Sequence, residues 1–364
     1  MRADRIPVMI VGAGIAANVL HLPTWKRVDG VEVTAICDIN RENAARTAKQ
    51  WRIPRVYDDI HLLMKEEKEG IIDICTSPGT HVSLAERAME AGYHVLIEKP
   101  LTMSVEETER ILRKHSQRKE RGKVCVVQSM LFEPPILEIR SILAAKRVDV
   151  LSIDIRMLHT PNDKYLSTRD HWVHSLPGGR FGESLIHPVY LIHNLMRGPM
   201  NVRDVFSVKR GSYEWVDFDE LNVALDNGTV HGSIHISFNS PRWTYAVSLR
   251  IYGKEAILHF DGTNLTSTVQ GPLMQGWLPG AGMPRWNLFK DSLSTCMSIL
   301  MCTGKNGVKA LSHTWGSGFF TLLRLFVNAV AEDGELPYSF QESCEANKTF
   351  LEILRHLANN VEHR

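Results

Sequence analysis

Two short stretches carry residue types that could move a proton at an alcohol or carbonyl oxygen. The first is Glu98-Lys99-Pro100, an acid, a base and a proline at the abrupt end of the apolar run Val95-Leu96-Ile97. A lysine there would hydrogen-bond a reacting oxygen and stabilise the negative charge that develops on it. The second is Glu183 with His187, at i and i+4 and so on one helix face, with Tyr190 and Asn194 close to that face. Histidine titrates near pH 6.5 and suits general acid–base work. Each stretch has a plainer alternative. Glu-Lys-Pro is an ordinary surface turn, and His187 on an apolar helix is an ordinary hydrogen-bonded core histidine. His193, further along that helix, reads as structural, and His171 and His174 as loop residues that either touch a substrate or decorate the surface.

The elements around the first stretch sharpen its meaning. A continuous apolar run flanked by turn signals suits a strand buried in a parallel sheet, and ligands of such sheets lie beyond the carboxyl ends of the strands. Pro7 to Val11 is a short strand followed at once by Gly12-Ala13-Gly14-Ile15-Ala16-Ala17, a G-x-G-x-x-A pattern. Gly12 permits the tight turn and Gly14 lets the backbone approach a pyrophosphate. The helix that begins around Ile15 and Ala16 turns its N-terminal N–H groups toward the phosphates. A second strand, Val31 to Cys37, ends in Asp38, an acid at the distance from the motif (about 20 residues) that places it on the ribose hydroxyls of NAD. Asp38 would repel a 2′-phosphate, while nearby Arg41 keeps NADP open; its plainer role is to cap the helix from Arg41 to Gln50.

The alternation then continues. A helix capped by Asp59 runs to Lys68, a strand covers Ile71 to Thr76, and the loop Ser77-Pro78-Gly79-Thr80 leads into a helix from His81 to Ala91 closed by Gly92. Ser104 and Glu107 make a capping box for the helix to Lys119, and Lys123 to Gln128 is one more strand. Strands alternating with helices predict a doubly wound parallel sheet.

With 364 residues, two domains are the first expectation. A formal net charge of +1 gives no reason to expect nucleic acid or an anionic membrane as partner. Met1-Arg2-Ala3-Asp4-Arg5 is no signal peptide, and the longest apolar stretches, such as Met297 to Cys302, are too short to span a bilayer. The six cysteines lack C-x-x-C spacing and read as reduced core residues of a cytoplasmic protein.

Several stretches together give the chain a family resemblance. They are His21-Leu22-Pro23, Cys37-Asp38, His81 and the run from Ala91-Gly92 through Glu98-Lys99-Pro100, with Leu336-Pro337 before an acidic helix near the C-terminus. The chain resembles the glucose–fructose oxidoreductase / inositol dehydrogenase (Gfo/Idh/MocA) family. The resemblance implies a Rossmann NAD-binding domain over 1–128. It also implies an α+β substrate-binding and oligomerisation domain over 129–364, with a large open, mostly antiparallel sheet, whose C-terminal helix packs back on the first domain. Cofactor contacts would come from Gly12, Gly14, Ile15, Ala16, Asp38, Thr76, Ser77, His81, Glu98, Lys99 and Gln128.

In the second domain the family's pattern is a tryptophan, a glycine pair and D-x-x-x-H. Trp172, Gly178, Gly179 and His187 match it, Glu183 replaces the aspartate, and Tyr190 stands where a second acid is common. Lys99, His187 and Glu183 are thus the candidate catalytic residues, and Lys99, Trp172, His174, His187 and Tyr190 the candidate substrate contacts. No zinc-like spacing supports a metal. The implied activity is NAD-dependent (NADP possible) hydride transfer at a secondary alcohol or ketone of a sugar, sugar derivative or cyclitol. Alternatives are a sugar-sensing regulator without the chemistry and a redox-neutral, NAD-dependent glycoside hydrolase.

From Val202 to Val269 the chain reads as successive strands, with Asp226-Asn227-Gly228 a hairpin signal. One face of that sheet should lie on helices. The other should be apolar and covered, as the family covers it, by a second subunit, giving a homodimer or homotetramer. Residues 271–286 fit neither period and read as an irregular insert. His313 to Ala331 and Gln341 to Asn359 read as packing helices.

Overall fold

In the computed structural model the described residues are 5–117, 122–241, 246–262, 266–270 and 318–362, with scattered positions from 292 to 304. The insert expected over 271–286 and the start of the helix expected from His313 lie outside them. Residues 1–129 and 317–351 group into one compact unit, and 130–316 and 352–364 into a second.

The first unit is built on six parallel strands: β1 (Ile6–Val11), β2 (Val31–Cys37), β3 (Arg55–Tyr57), β4 (Ile71–Ile74), β5 (His94–Ile97) and β6 (Val124–Val126). Their order, β3-β2-β1-β4-β5-β6, reverses direction between β1 and β4, which makes the carboxyl ends of those two strands the ligand crevice. The strands carry apolar side chains on both faces because helices cover both; β4 and β6 are buried at every residue. Backbone hydrogen bonds run past the strand ends, from Cys75 N–H to the Val11 carbonyl and from Glu98 N–H to the Ile74 carbonyl. The residues that follow the strands are thereby held in register.

The helices of this unit are α1 (Leu22–Trp25), entered through a π-helical turn over Ala17–His21, α2 (Arg41–Trp51), α3 (Ile60–Glu66), α4 (Pro78–Glu90) and α5 (Val105–Gln117). Asn40, rather than Asp38, caps α2: its side chain accepts the Glu42 and Asn43 N–H groups. Helix α4 begins three residues before the expected start, because Pro78 is preorganised for the first helical position. Gly92, at φ +85°, ends it as expected. The β3 strand was not anticipated, since three residues at a sheet edge are too few to show a period.

Among the described residues the second unit has seven strands, β7 (Val150–Leu158), β8 (Asn201–Val208), β9 (Glu220–Asp226), β10 (His231–Ser237), β11 (Ala246–Gly253), β12 (Ile257–Asp261) and β13 (Thr266–Gln270). Their order is β13-β12-β11-β7-β10-β9-β8, with β7 and β10 paired in parallel and the other described neighbours antiparallel. The expected fold class is therefore found. Asp226-Asn227-Gly228 turns β9 into β10, with Gly228 at φ +87°.

Short helices α6 (Pro134–Ala144), α7 (Lys164–Ser167) and α8 (Phe181–Ser184) precede α9 (Ile186–Met196), which lies on the sheet. Gly232 in β10 lets α9 approach: a Cβ there would stand 2.5 Å from the Ile192 Cδ1. The chain closes with α10 (Gly318–Ala331) and α11 (Phe340–Glu362), the latter divided between the two units.

One expectation needs correction. The sheet face toward α9 is apolar and buried (Ile153, Ile155, Met157, Ile234, Leu249, Ile251), but its opposite face is largely polar. Ser152, Asp154, Arg156, Asn222, Ser233, His235 and Arg250 alternate with the buried residues there. That alternation is how an antiparallel sheet presents one face to water, so exposed apolar area gives no argument for subunit pairing.

Candidate dinucleotide cleft and proton-handling residues

In the first unit a cavity of about 570 Å³ opens at the carboxyl ends of β1, β2 and β4. Gly12, Gly14, Asp38, Thr76 and Ser77 line it, five of the expected cofactor residues. Gly12 sits at φ +101°, and a Cβ there would lie 2.9 Å from the Cys75 carbonyl group, so only glycine permits this turn. A Cβ on Gly14 would meet nothing within 4 Å. It points into open space, the space a diphosphate needs. Ile15 and Ala16 begin the helix that follows, and Ile15 is exposed.

Asp38 accepts the Ala13 N–H through Oδ2 (2.7 Å) and the Asn40 N–H through Oδ1 (2.8 Å). Asp58 and Asp59 line the same cavity, and Arg41 reaches Asp58 at 3.1 Å. The only cation whose expected role was to accommodate a 2′-phosphate is thus already paired with a carboxylate. The cavity also holds residues that sequence reasoning missed: Ile39, Ile60, His61, Leu84 and Arg87. Ile39 is 97% exposed, and its position directly after Asp38 was the available signal.

Three expected cofactor residues are buried beneath the cleft instead of lining it. His81 is fully buried, with Nε2 2.9 Å from the Thr76 carbonyl and Nδ1 3.0 Å from the Pro100 carbonyl. It ties the loop after β4 to the turn after Lys99, and burial holds its pKa below the usual value. Gln128 is buried just beyond β6.

Glu98 is buried too. Its Oε1 lies 2.7 Å from the Nε2 of His21, and its Oε2 accepts the Lys99 N–H at 2.9 Å. The other ring nitrogen of His21 is 2.8 Å from Asp73 Oδ2, which also accepts the Trp25 indole N–H at 2.6 Å. Burial would raise the Glu98 pKa, but the hydrogen bond and charge of His21 outweigh it and hold the carboxyl at about 2. His21 loses basicity to burial and regains more from Asp73, so its pKa ends well above the usual value. His21, Asp73 and Cys75 bring ligand-type atoms within 4.8 Å of one another. However, both His21 nitrogens already meet carboxylate oxygens, and burial followed by Asp73 pushes the Cys75 thiol up to about 12. This donor set is a hydrogen-bond network. Lys99 itself is half-buried at the end of this chain of contacts.

In the second unit His187 Nδ1 lies 3.0 Å from the Tyr190 hydroxyl, which accepts the Met130 N–H at 3.2 Å. Tyr190, expected as a substrate contact, is 1% exposed, and its hydroxyl is placed to hold the His187 ring. When Nδ1–H donates to Tyr190, Nε2 keeps the lone pair a general base requires.

The buried Arg180 guanidinium bonds both Glu183 and Asp163, and lies over the rings of Tyr165 and Phe238 at 5.1 and 5.2 Å. Such a pairing suits an anchoring role for Glu183 beside the catalytic one expected of it. His174 Nε2 lies 3.1 Å from the Thr168 carbonyl, and Trp172 is 49% exposed.

A six-stranded parallel sheet in this order, with a glycine turn and an acid at the end of β2, defines a dinucleotide-binding protein. Residues 6–129 match the oxidoreductase family with an NAD-binding Rossmann fold (GFO_IDH_MocA). The match covers the Rossmann domain alone, about a third of the chain, and it is to a family whose Rossmann fold binds NAD.

It is 30% identical over 96 residues to the D-apiose dehydrogenase of Paraburkholderia graminis, covering 26% of this chain and 25% of that protein. It is 29% identical over 107 residues to the D-glucoside 3-dehydrogenase of Escherichia coli, covering 29% of this chain and 30% of that one. The match thus spans less than a third of either relative. The WlbA dehydrogenase of Bordetella pertussis, solved with NADH and UDP-GlcNAcA, superposes with a TM-score of 0.74 at 17% identity, over 98% of this chain and 97% of that one. This last likeness is one of fold. No helix among the described residues is long and apolar enough to cross a membrane.

Proposed function

We propose that this chain is an NAD-dependent dehydrogenase acting on a secondary alcohol of a sugar, sugar derivative or cyclitol. The observation that carries the reading is Lys99, held by its own N–H on a buried carboxylate at the end of β5, in the same unit as a cleft that fits a dinucleotide. Gly12 and Gly14 would receive the diphosphate and Asp38 the adenosine ribose. NAD, when bound, supplies the hydride acceptor.

The residues of the chain handle the remainder. Lys99 hydrogen-bonds the substrate oxygen and stabilises the charge that grows on it as the hydroxyl proton leaves. His187 takes that proton at Nε2, with Nδ1 kept as donor by Tyr190. Trp172 and His174 serve as substrate contacts. The sugar activity of D-apiose dehydrogenase and D-glucoside 3-dehydrogenase supports this substrate class. Pairing of copies through the second-unit sheet stays part of the proposal on the family resemblance, and sedimentation equilibrium tests it.

The test of function is a panel of sugars, nucleotide sugars and inositols assayed for NADH formation, with Lys99→Met beside the unmutated protein. NADH formation that drops at least ~10²-fold in the variant is expected. A variant with undiminished turnover removes Lys99 from the chemistry.

A further inference from the structure

A set of buried charged groups adjoins the cleft, which Cys75 also lines. His21 and Asp73 are both 0% exposed and Glu98 is 6% exposed. Four elements bring groups to it: Trp25 from α1, Asp73 and Cys75 at the end of β4, Glu98 after β5, and the Phe319 ring of α10, edge-on to His21 at 4.7 Å. His21 is fully buried and is not among the residues that line the cleft.

The proton count of this cluster is informative. A neutral imidazole has one N–H, yet both ring nitrogens of His21 face carboxylate oxygens, at 2.8 Å (Asp73) and 2.7 Å (Glu98). Asp73 Oδ2 is already an acceptor from Trp25, and Glu98 Oε2 is an acceptor from the Lys99 amide. An imidazolium satisfies both ring contacts, whereas a neutral ring between two ionised carboxylates would leave one nitrogen lone pair against an oxygen lone pair. The raised basicity of His21 agrees with this assignment.

We propose that His21 is an imidazolium that positions Lys99: it holds Oε1 of Glu98 so that Oε2 stays on the Lys99 N–H and fixes the backbone carrying the lysine. The inference rests on the reading of Lys99 as the group that meets the substrate oxygen. His21 acts through Glu98 and is a positioning residue. Nothing else in the described residues bonds Oε1, so removing the ring frees the carboxylate to rotate and releases the Lys99 amide.

The test uses the whole chain and needs no substrate. In protein labelled with ¹⁵N-histidine, the ring signals absent from His21→Gln report the protonation of His21, and both nitrogens protonated at pH 8 is the expected result. A neutral tautomer at that pH overturns the proposal. Hydrogen exchange of the Lys99 amide is then compared in wild type and His21→Gln, whose amide donates to one carboxylate only. Exchange at Lys99 should rise about 10-fold or more while Ile10 and Ile72, in the centre of the sheet, keep theirs, as expected for the loss of one buried hydrogen bond.

Unchanged exchange at Lys99, or an equal rise at all three, overturns it. If His21→Gln does not fold, His21→Phe, which keeps a ring but has no N–H to hold Glu98, replaces it with the same expectation at Lys99. The two readings fail separately. Turnover retained by Lys99→Met removes the catalytic role of the lysine, whereas the exchange measurement decides whether His21 holds it.

Discussion

Asp38 Oδ2 accepts the Ala13 amide N–H at 2.7 Å, tying the end of β2 to the glycine turn after β1. The carboxylate is thereby fixed at the mouth of the cleft, with Asp58 and Asp59 beside it. A ribose diol can donate to such a group, while a 2′-phosphate brings a second anion against three carboxylates. We expect NAD to bind at least ~10-fold tighter than NADP, and Asp38→Asn to narrow that ratio. Titration of tryptophan fluorescence with each nucleotide measures it. Equal or tighter binding of NADP by the unmutated protein would sink the assignment of Asp38.

The two glycines of the turn should fail in different ways when substituted. Gly12→Ala forces a Cβ against the Cys75 carbonyl group at φ +101°, so it should lower thermal stability by several degrees. Gly14→Val has room to fold, since nothing lies within 4 Å of its Cβ, but fills the diphosphate approach. It should keep the wild-type melting temperature and lose ~10-fold or more in NAD affinity. Identical behaviour of the two variants would contradict the separate roles.

How much of this was legible in the sequence follows from the range of the interactions. The buried strands β1, β4 and β5 announce themselves as continuous apolar runs, and the hairpin at Asp226-Asn227-Gly228 by its turn chemistry. The polar outer face of the second sheet was also readable. Ser152, Asp154 and Arg156 alternate with Ile153, Ile155 and Met157, and that period outweighs the argument from apolar sheet area. The pairing of Arg180 with Glu183 at i+3 was visible as spacing, but its burial between Tyr165 and Phe238 was not. The meeting of His21 and Glu98 joins residues 77 apart, and no local pattern encodes it.

Tyr190 should matter through His187 and not through substrate affinity. Tyr190→Phe removes the hydroxyl 3.0 Å from Nδ1 and leaves the ring packing intact. With a panel sugar that yields NADH, turnover should fall ~10-fold at nearly constant NAD affinity, since one orienting hydrogen bond is lost. His187→Ala should slow oxidation and reduction alike while leaving NAD affinity nearly intact. If it keeps the wild-type rates, the proton travels elsewhere.

Arg180→Met tests the anchor role of Glu183. The variant leaves Asp163 and Glu183 without their shared cation in a largely buried setting, and loss of one partner from such a group costs about 3–5 kcal/mol. Glu183→Gln, which keeps a neutral acceptor for Arg180, should cost less in stability. Glu183→Gln should also leave the pH profile of turnover unchanged, because an anchoring carboxylate carries no proton. A shifted profile would return Glu183 to the proton route.

The His21 cluster should give folding stability a pH window of its own. Glu98 has a folded pKa of about 2 against an ordinary 4.5, so its contribution is complete above about 4.5 and is lost as pH falls toward 2. His21 is shifted the other way, upward from 6.5, so its contribution is complete below 6.5 and is lost as pH rises through the elevated value. Between about 4.5 and 6.5 both contributions are present in full. The stability gap between wild type and His21→Gln should therefore be widest there, on the order of 3 kcal/mol, the scale of breaking one partner from a buried ion pair. It should narrow in both directions, on the alkaline side because wild type loses the imidazolium and on the acid side because Glu98 takes up a proton on unfolding. Urea unfolding at pH 3.5, 5.5 and 9.5 measures the gap directly. A gap that is the same at all three values would mean that His21 contributes packing alone and carries no charge between Asp73 and Glu98.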